Sequence, residues 1–275
     1  MKSFKNIKSK GLILFDVSLR DGIQSIERKY SLSDKKNIFY KIYNKYNPHS
    51  IEIGSLVSDK IIPQMAGSIE LFKSVQEVCD KDIYMMVPNV KKYQDLKGKG
   101  IQNISLITSI SNSFTLKNIN KSEDKSLENI KKIIDMSRKD NIIKKIKLYI
   151  SCINECPIDG KINNDVVIEK ILRYLDFSEI NEFCLSDTCG TLNFKDYKYI
   201  LDNISKNINN DKIGLHLHIG DNIDECKKII NYSIINNVKR FDVSCLENTG
   251  GCVVTINKNK IKSNLTYEQL ECLLE

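Results

Sequence analysis

The sequence predicts an α/β protein folded as a (β/α)8 barrel, and three observations carry that expectation. Eight short apolar runs alternate with lysine-rich segments of helical periodicity. No Gly-rich GxGxxG turn follows the first run, where an open, doubly wound dinucleotide sheet would place one. The acids, arginine and histidines gather where runs end, which is the catalytic rim of such a barrel. A chain of 275 residues suits one barrel, and 1–275 reads as a single catalytic domain.

The runs follow in order. LILFDVS (12–18), SIEIGS (50–55), IYMMVP (83–88) and ISLITS (104–109) form the first half. IKLYISC (146–152), EFCLSD (182–187), IGLHLHI (213–219) and RFDVSC (240–245) form the second. Each is six or seven residues long, a strand's length rather than a helix's. Between them, segments such as DKKNIFYKIYNKY (34–46) and IDECKKIINYSIINN (223–237) repeat apolar residues at three and four, and TYEQLECLL closes the chain as a short helix. No linker, low-complexity block or internal repeat interrupts the alternation.

Composition narrows the function classes. A hydrophobic fraction of 41% supports a sizeable core, and no apolar run approaches the ~20 residues of a membrane span, so no membrane partner is expected. MKSFKNIKSKGLILF holds too short an apolar stretch for a signal peptide and no arginine for a transit peptide, which leaves a cytoplasmic location as the expectation. Nine cysteines, an odd number without a CxxC pair, do not form a disulfide framework; most of them read as small buried residues in a reducing compartment. The net charge of +7 comes from lysines scattered over helix-like segments. Without interleaved aromatic residues these are solvated faces, and no nucleic-acid partner is expected. A diffuse positive field would still attract an anionic substrate.

The chemistry centres on IGLHLHIGDN (213–222), which holds two of the chain's three histidines. Residues two apart in a strand face the same way, about 6.5–7 Å apart along the chain. If Leu215 and Leu217 face the helix layer, His216 and His218 point into the barrel mouth and can share a cation. A pair of hydrogen-bonded core histidines is the alternative. Asp21 is the best source of a carboxylate, because RDG follows strand one and closure brings strand one near strand seven. A side-chain amide such as Asn264 could add an oxygen. Nitrogen and oxygen donors without thiolate suit Mg²⁺ or Mn²⁺ better than structural zinc. Such an ion acts as a Lewis acid on a chelating hydroxyl or carbonyl. Arg20 can stabilise an enolate oxygen, or pair with a rim carboxylate such as Glu52 or Asp187. Cys252, after two glycines, could be a proton donor on a lid, or an inert buried thiol. His49, beside Pro48, reads as surface or structural.

The motifs DVSLRDGIQS, IEIGSLVSDKIIPQMA, SFTLKNINKS, YISCINECPIDGKI, LSDTCGT, LHLH, GGC and SNLTYEQL occur in the order found in 3-hydroxy-3-methylglutaryl-CoA lyases. The resemblance runs from about residue 12 to the C-terminal end. RDG and HxH are shared with isopropylmalate, homocitrate and citramalate synthases, whereas SLVSDKIIPQM, SCINECPIDGKI and the GGC loop resemble the lyase branch. The resemblance implies cleavage of 3-hydroxy-3-methylglutaryl-CoA, a small-molecule acyl-CoA substrate, to acetyl-CoA and acetoacetate by a retro-Claisen step. It implies a divalent cation, Mg²⁺ or Mn²⁺, on Asp21, His216, His218 and Asn264. Arg20 would polarise the thioester carbonyl, Cys252 would be the catalytic lid cysteine, His216 would carry a proton, and Glu52 and Asp187 would support the centre. Departures are visible. Asp221 stands where a displaced acid would replace the one the family sets directly after its second histidine. A longer stretch after Cys252 brings Asn257 and Asn259 forward as rival amides. The chain stops soon after its last helix, without the family's usual C-terminal helical extension. The alternatives are a lyase or synthase for a related acyl-CoA or 2-oxoacid, and a barrel that binds acyl-CoA without turnover. A homodimer is compatible with either.

Overall fold

The computed structural model describes residues 4–220, 223–252 and 254–275. Eight strands, β1 Ile13–Asp16, β2 Ser50–Ser55, β3 Asp82–Met86, β4 Asn103–Ser109, β5 Lys145–Ser151, β6 Ile180–Asp187, β7 Ile213–Ile219 and β8 Arg240–Val243, lie side by side in chain order. Every neighbouring pair is parallel, and β8 pairs with both β7 and β1, so the sheet closes on itself. The helices that follow the strands in turn are α1 Leu32–Lys41, α2 Ser68–Val75, α3 Val90–Gln94, α4 Glu123–Asp140, α5 Asn164–Leu175, α6 Phe194–Ile204, α7 Ile223–Ile235 and α8 Tyr267–Leu273, and two further helices, Lys5–Ser9 and Asn112–Ile119, precede β1 and α4. This is the (β/α)8 barrel that the alternation predicts.

Local chemistry explains the boundaries. Ser31 and Thr266 begin α1 and α8 with reciprocal capping boxes to Asp34 and Gln269, and Ser122, Asn163 and Asn193 cap three others. Asparagines in the left-handed region follow several helical segments, with Asn47, Asn120 and Asn141 at φ near 50°. The first strand ends at Asp16, two residues before its apolar run does. There the Asp16 Oδ1 accepts the Ser18 N–H at 2.8 Å, and the chain enters one π-helical turn over Ser18–Gly22. Likewise 34–46 is not one helix: α1 stops at Lys41 and a π-helical turn, Ile42–Tyr46, completes it before Asn47 and Pro48.

Period-two alternation sorts each strand between two cores. In β5, Ile146, Leu148 and Ile150 join the main core between sheet and helices. Lys147, Tyr149 and Ser151 alternate with them and face the barrel axis. The interior departs from the branched aliphatic layers usual in this fold. It buries Glu52, Lys147, Glu182 and Asp242 among Phe15, Tyr84 and Tyr149. A two-residue strand, Ser263–Asn264, adds antiparallel to β7 with Asn264 opposite His218. Among the described residues no helix is long and apolar enough to cross a membrane.

Candidate active site

The π-helical turn after β1 projects Arg20 and Asp21 over the C-terminal mouth. π-Turns of this kind recur at functional sites because the extra residue re-aims side chains. Arg20 is buried. Its Nε donates to Glu52 Oε2 at 2.5 Å, its Nη1 donates to Asp21 Oδ1 at 2.6 Å, and its Cζ sits 4.9 Å from the centre of the Tyr149 ring. The ion pair expected as one reading of Arg20 is present, with Glu52 as the acid that orients it, and Arg20 also lines the mouth pocket. Glu52 is itself fixed by Ser105 Oγ and by the Tyr149 hydroxyl, the latter at 3.1 Å.

His216 and His218 both face inward from β7, as the alternation with Leu215 and Leu217 requires. Each Nδ1 is turned away from the pocket: that of His216 lies 3.0 Å from Asp242 Oδ2, and that of His218 lies 2.9 Å from the Asp187 carbonyl oxygen. Both acceptors demand an Nδ1–H, so both Nε2 atoms carry lone pairs. Those two atoms stand 3.3 Å apart, and Asp21 Oδ2 lies 3.8 Å from one and 3.6 Å from the other. Octahedral donors at about 2.1 Å from an ion stand about 3.0 Å apart, so this triangle is slightly open but of the right size. Burial works against ionisation of Asp21, yet the Arg20 cation and the two imidazoles hold its carboxyl well below the usual range.

Asn264 completes the fit. It is 2% exposed, and both polar atoms of its amide lack a hydrogen-bond partner among the described residues. Buried amides are almost always satisfied, so an orphaned one that lies against Gly250 and is paired in register with His218 is free to serve a cation. As the register partner of His218 it shares that residue's face. Asn257 and Asn259 are exposed and line a different surface pocket, and Asp221 lies outside the described residues.

The GGC segment arches over the triangle. Gly250 and Gly251 adopt φ of 107° and 87°, and a Cβ on Gly250 would stand 2.3 Å from the Asn264 amide nitrogen. The Gly251 N–H donates to Asp21 Oδ2 at 2.9 Å, tying the lid to the carboxylate. Cys252 follows, packed with Phe114, Cys152, Cys156 and Ile256 and lining the same pocket as Arg20. Burial pushes its thiol up, and Thr255 Oγ1 donates to the sulfur at 3.0 Å. The pocket, of about 110 Å³, has an apolar wall of Val57, Ile62, Met86, Pro88 and Ile107.

The Asp187 carboxylate and the second nitrogen of His216 are both engaged outside the pocket. The Asp187 carboxylate does not line the pocket: its oxygens accept the Thr191 and Leu192 N–H groups at 3.1 Å each, bracing the loop, and its backbone carbonyl orients His218. The His216 nitrogen that a proton carrier would need, Nδ1, is already engaged by Asp242 below the pocket. His49 has a structural role, its Nδ1 accepting the Leu14 N–H at 3.1 Å. Sequence reasoning passed over Tyr149, Lys147 and Asp242. The available signal was a polar or charged residue at alternate, inward positions of otherwise apolar strands.

Donors of this kind, gathered with a buried arginine and a thiol at the C-terminal mouth, define a (β/α)8-barrel enzyme with a cation-ready centre. Residues 11–224 match the HMGL-like family, and the chain belongs to it. It is 27% identical to the 3-hydroxy-3-isohexenylglutaryl-CoA/hydroxy-methylglutaryl-CoA lyase of Pseudomonas aeruginosa over 88% of this chain and 79% of that protein. It is 28% identical to the mitochondrial hydroxymethylglutaryl-CoA lyase of Bos taurus over 76% of this chain, a span covering 63% of that relative's length. The crystal structure of hydroxymethylglutaryl-CoA lyase from Pseudomonas aeruginosa superimposes with a TM-score of 0.84 at 25% identity, over 96% of this chain and 84% of that one.

Proposed function

We propose that this chain is a divalent-metal-dependent carbon–carbon lyase that cleaves 3-hydroxy-3-methylglutaryl-CoA to acetyl-CoA and acetoacetate. Mg²⁺ or Mn²⁺ would be held by Asp21, His216, His218 and Asn264. The observation that carries this reading is the convergence of two Nε2 lone pairs and Asp21 Oδ2 beside the buried Arg20. When bound, the cation supplies Lewis-acid polarisation that makes the substrate's C3 hydroxyl easier to deprotonate.

The chain's own groups do the rest. Breaking the C2–C3 bond leaves its electron pair on the acetyl-CoA fragment as an enolate. The guanidinium of Arg20, locked by Glu52 and Asp21 before substrate arrives, presents its remaining N–H donors to that oxygen without reorganising. Cys252, kept protonated by burial, supplies a proton to the enolate carbon, and the proton released from the C3 hydroxyl is returned to the resulting thiolate, so the cycle neither gains nor loses one. The lid over Cys252 excludes water, protecting the enolate from stray protonation. Nine free thiols support a reducing compartment such as the cytoplasm.

The apolar wall of Val57, Ile62, Met86, Pro88 and Ile107 favours one further reading, a C3 branch larger than methyl. The relative from Pseudomonas aeruginosa is named for both an isohexenyl and a methyl thioester. Incubation of metal-loaded protein with 3-hydroxy-3-methylglutaryl-CoA and with a longer-branched analogue, followed by chromatography of the products, tests both. Acetyl-CoA from the methyl substrate supports the first reading, and acetyl-CoA from the analogue alone would replace it with the second. Intact thioesters in both incubations would leave a barrel that binds without turnover.

A further inference from the structure

Beneath the candidate centre the barrel holds a second set of charges that the proposed chemistry leaves unused. Lys147 is fully buried. Its Nζ touches Asp242 Oδ1, lies 2.8 Å from Glu182 Oε1, and sits 3.6 Å from the centre of the Phe15 ring. Glu182 Oε2 in turn stands 3.6 Å from Arg240 at the opposite end of the barrel. Glu182, Cys184 and Asp242 are close enough together to hold an ion. The Lys147 ammonium already supplies the positive charge there, so that cluster is not a second metal site. What it does instead follows from the other oxygen of Asp242, which faces His216 Nδ1 at 3.0 Å.

We infer that Asp242, clamped by Lys147, is a positioning residue that holds His216 as its Nδ1–H tautomer and so turns the Nε2 lone pair toward Asp21 and His218. The inference rests on the cation-centre reading of those residues. A neutral imidazole can carry its proton on either nitrogen, and the group facing one nitrogen decides which. A carboxylate can only accept, so Asp242 permits a single tautomer. Lys147 fixes the carboxylate's rotation by taking Oδ1, and it satisfies a buried charge that would otherwise be expensive. Outer-shell partners of this kind are worth about 10–100-fold in metal affinity.

An isosteric change separates this role from simple packing. In Asp242→Asn, Lys147 Nζ can only donate, so it captures the amide oxygen and leaves the amide N–H facing His216. That N–H demands an acceptor at Nδ1, which moves the imidazole proton to Nε2 and blocks the lone pair. Adding Lys147→Met frees the amide to rotate and present its oxygen again. Three histidines make the tautomers readable from two-bond ¹H–¹⁵N spectra of the chelator-stripped protein. His49, whose Nδ1 accepts a backbone N–H, provides the opposite tautomer as an internal standard.

The wild type is expected to show Nδ1–H at His216. Asp242→Asn should show Nε2–H, with Mn²⁺ affinity reduced at least tenfold in calorimetry and a native circular dichroism spectrum. The double variant should regain Nδ1–H and return to within about threefold of wild-type affinity. An Asp242→Asn protein with the wild-type tautomer overturns the inference, as does a loss of affinity that the second substitution fails to rescue. Wild-type protein that binds no Mn²⁺ overturns the cation-centre reading instead, and the metal-free tautomer spectra then decide the role of Asp242 by themselves.

Discussion

Arg20→Met removes the guanidinium and keeps an apolar stem of similar length, so its consequences can be worked from the contacts. Losing one preorganised donor to a developing oxyanion lowers kcat by about 10²–10³. Arg20 has a charge as well as donors to lose, so a fall of at least 10³-fold is expected. The substitution also breaks a buried ion pair, for which about 3–5 kcal/mol is the usual destabilisation. The lower end applies here, because Glu52 keeps Ser105 Oγ and the Tyr149 hydroxyl as donors. Asp21 keeps the Gly251 N–H, so Mn²⁺ affinity should stay within tenfold of wild type. Adding Glu52→Gln removes the orphaned charge, and the double variant should recover most of the lost thermal stability without recovering turnover. The assay is acetoacetate release at saturating thioester, read beside a melting curve. Activity of Arg20→Met within tenfold of wild type would refute the enolate role. Activity restored by Glu52→Gln would show that stability alone was at stake.

Asn264→Ala deletes an amide with no hydrogen-bond partner among the described residues. Its melting temperature should hold or rise, while calorimetry shows weaker Mn²⁺ binding. Gly251→Ala places a Cβ in the left-handed region, 2.7 Å from an Ile261 methyl. It should destabilise the lid by about 1–3 kcal/mol and raise KM together with lowering kcat, measured by steady-state kinetics. Asp16 is fully buried, and burial pushes its carboxyl up to about 7 despite hydrogen bonds from Ser18 and Tyr267. Because the folded state binds this proton more tightly than the unfolded chain, the stabilisation is complete below about pH 3.8. It fades as pH rises to about 7, an effect on the order of 4 kcal/mol. Asp16→Asn should therefore gain melting temperature over wild type progressively between about pH 4 and 7 and level off above that, as read by thermal melts across about pH 4–8.

How legible the site was depended on whether its logic was local. HLH declares itself because two histidines at period two in an apolar strand must share a face, and the inward placement of His216 and His218 follows. RDG, placed just after the first strand, could be carried across the closed barrel to the same rim. The π-helical turn that aims Arg20 and Asp21 left no such mark, since it arises from Asp16 capping Ser18 and from the Gly22 N–H reaching Val17. The contacts of Asp187 were hidden for a related reason. Its position at a strand end marks the rim, but its carboxylate answers two loop N–H groups that only the fold brings near. Lys147 and Asp242 lie 95 residues apart in the chain. Each taken singly reads as a solvated charge, and their burial makes sense only once closure sets them face to face.

The central claim is that a cation on Asp21, His216 and His218 drives carbon–carbon cleavage. Its most direct test is a titration of chelator-stripped protein with Mn²⁺ while acetoacetate release from 3-hydroxy-3-methylglutaryl-CoA is followed. The account predicts no product without metal, a rate that saturates at one Mn²⁺ per chain, and no metal-dependent rate in His216→Ala/His218→Ala. Full activity in the presence of chelator, or an undiminished Mn²⁺ response in the double variant, would contradict it.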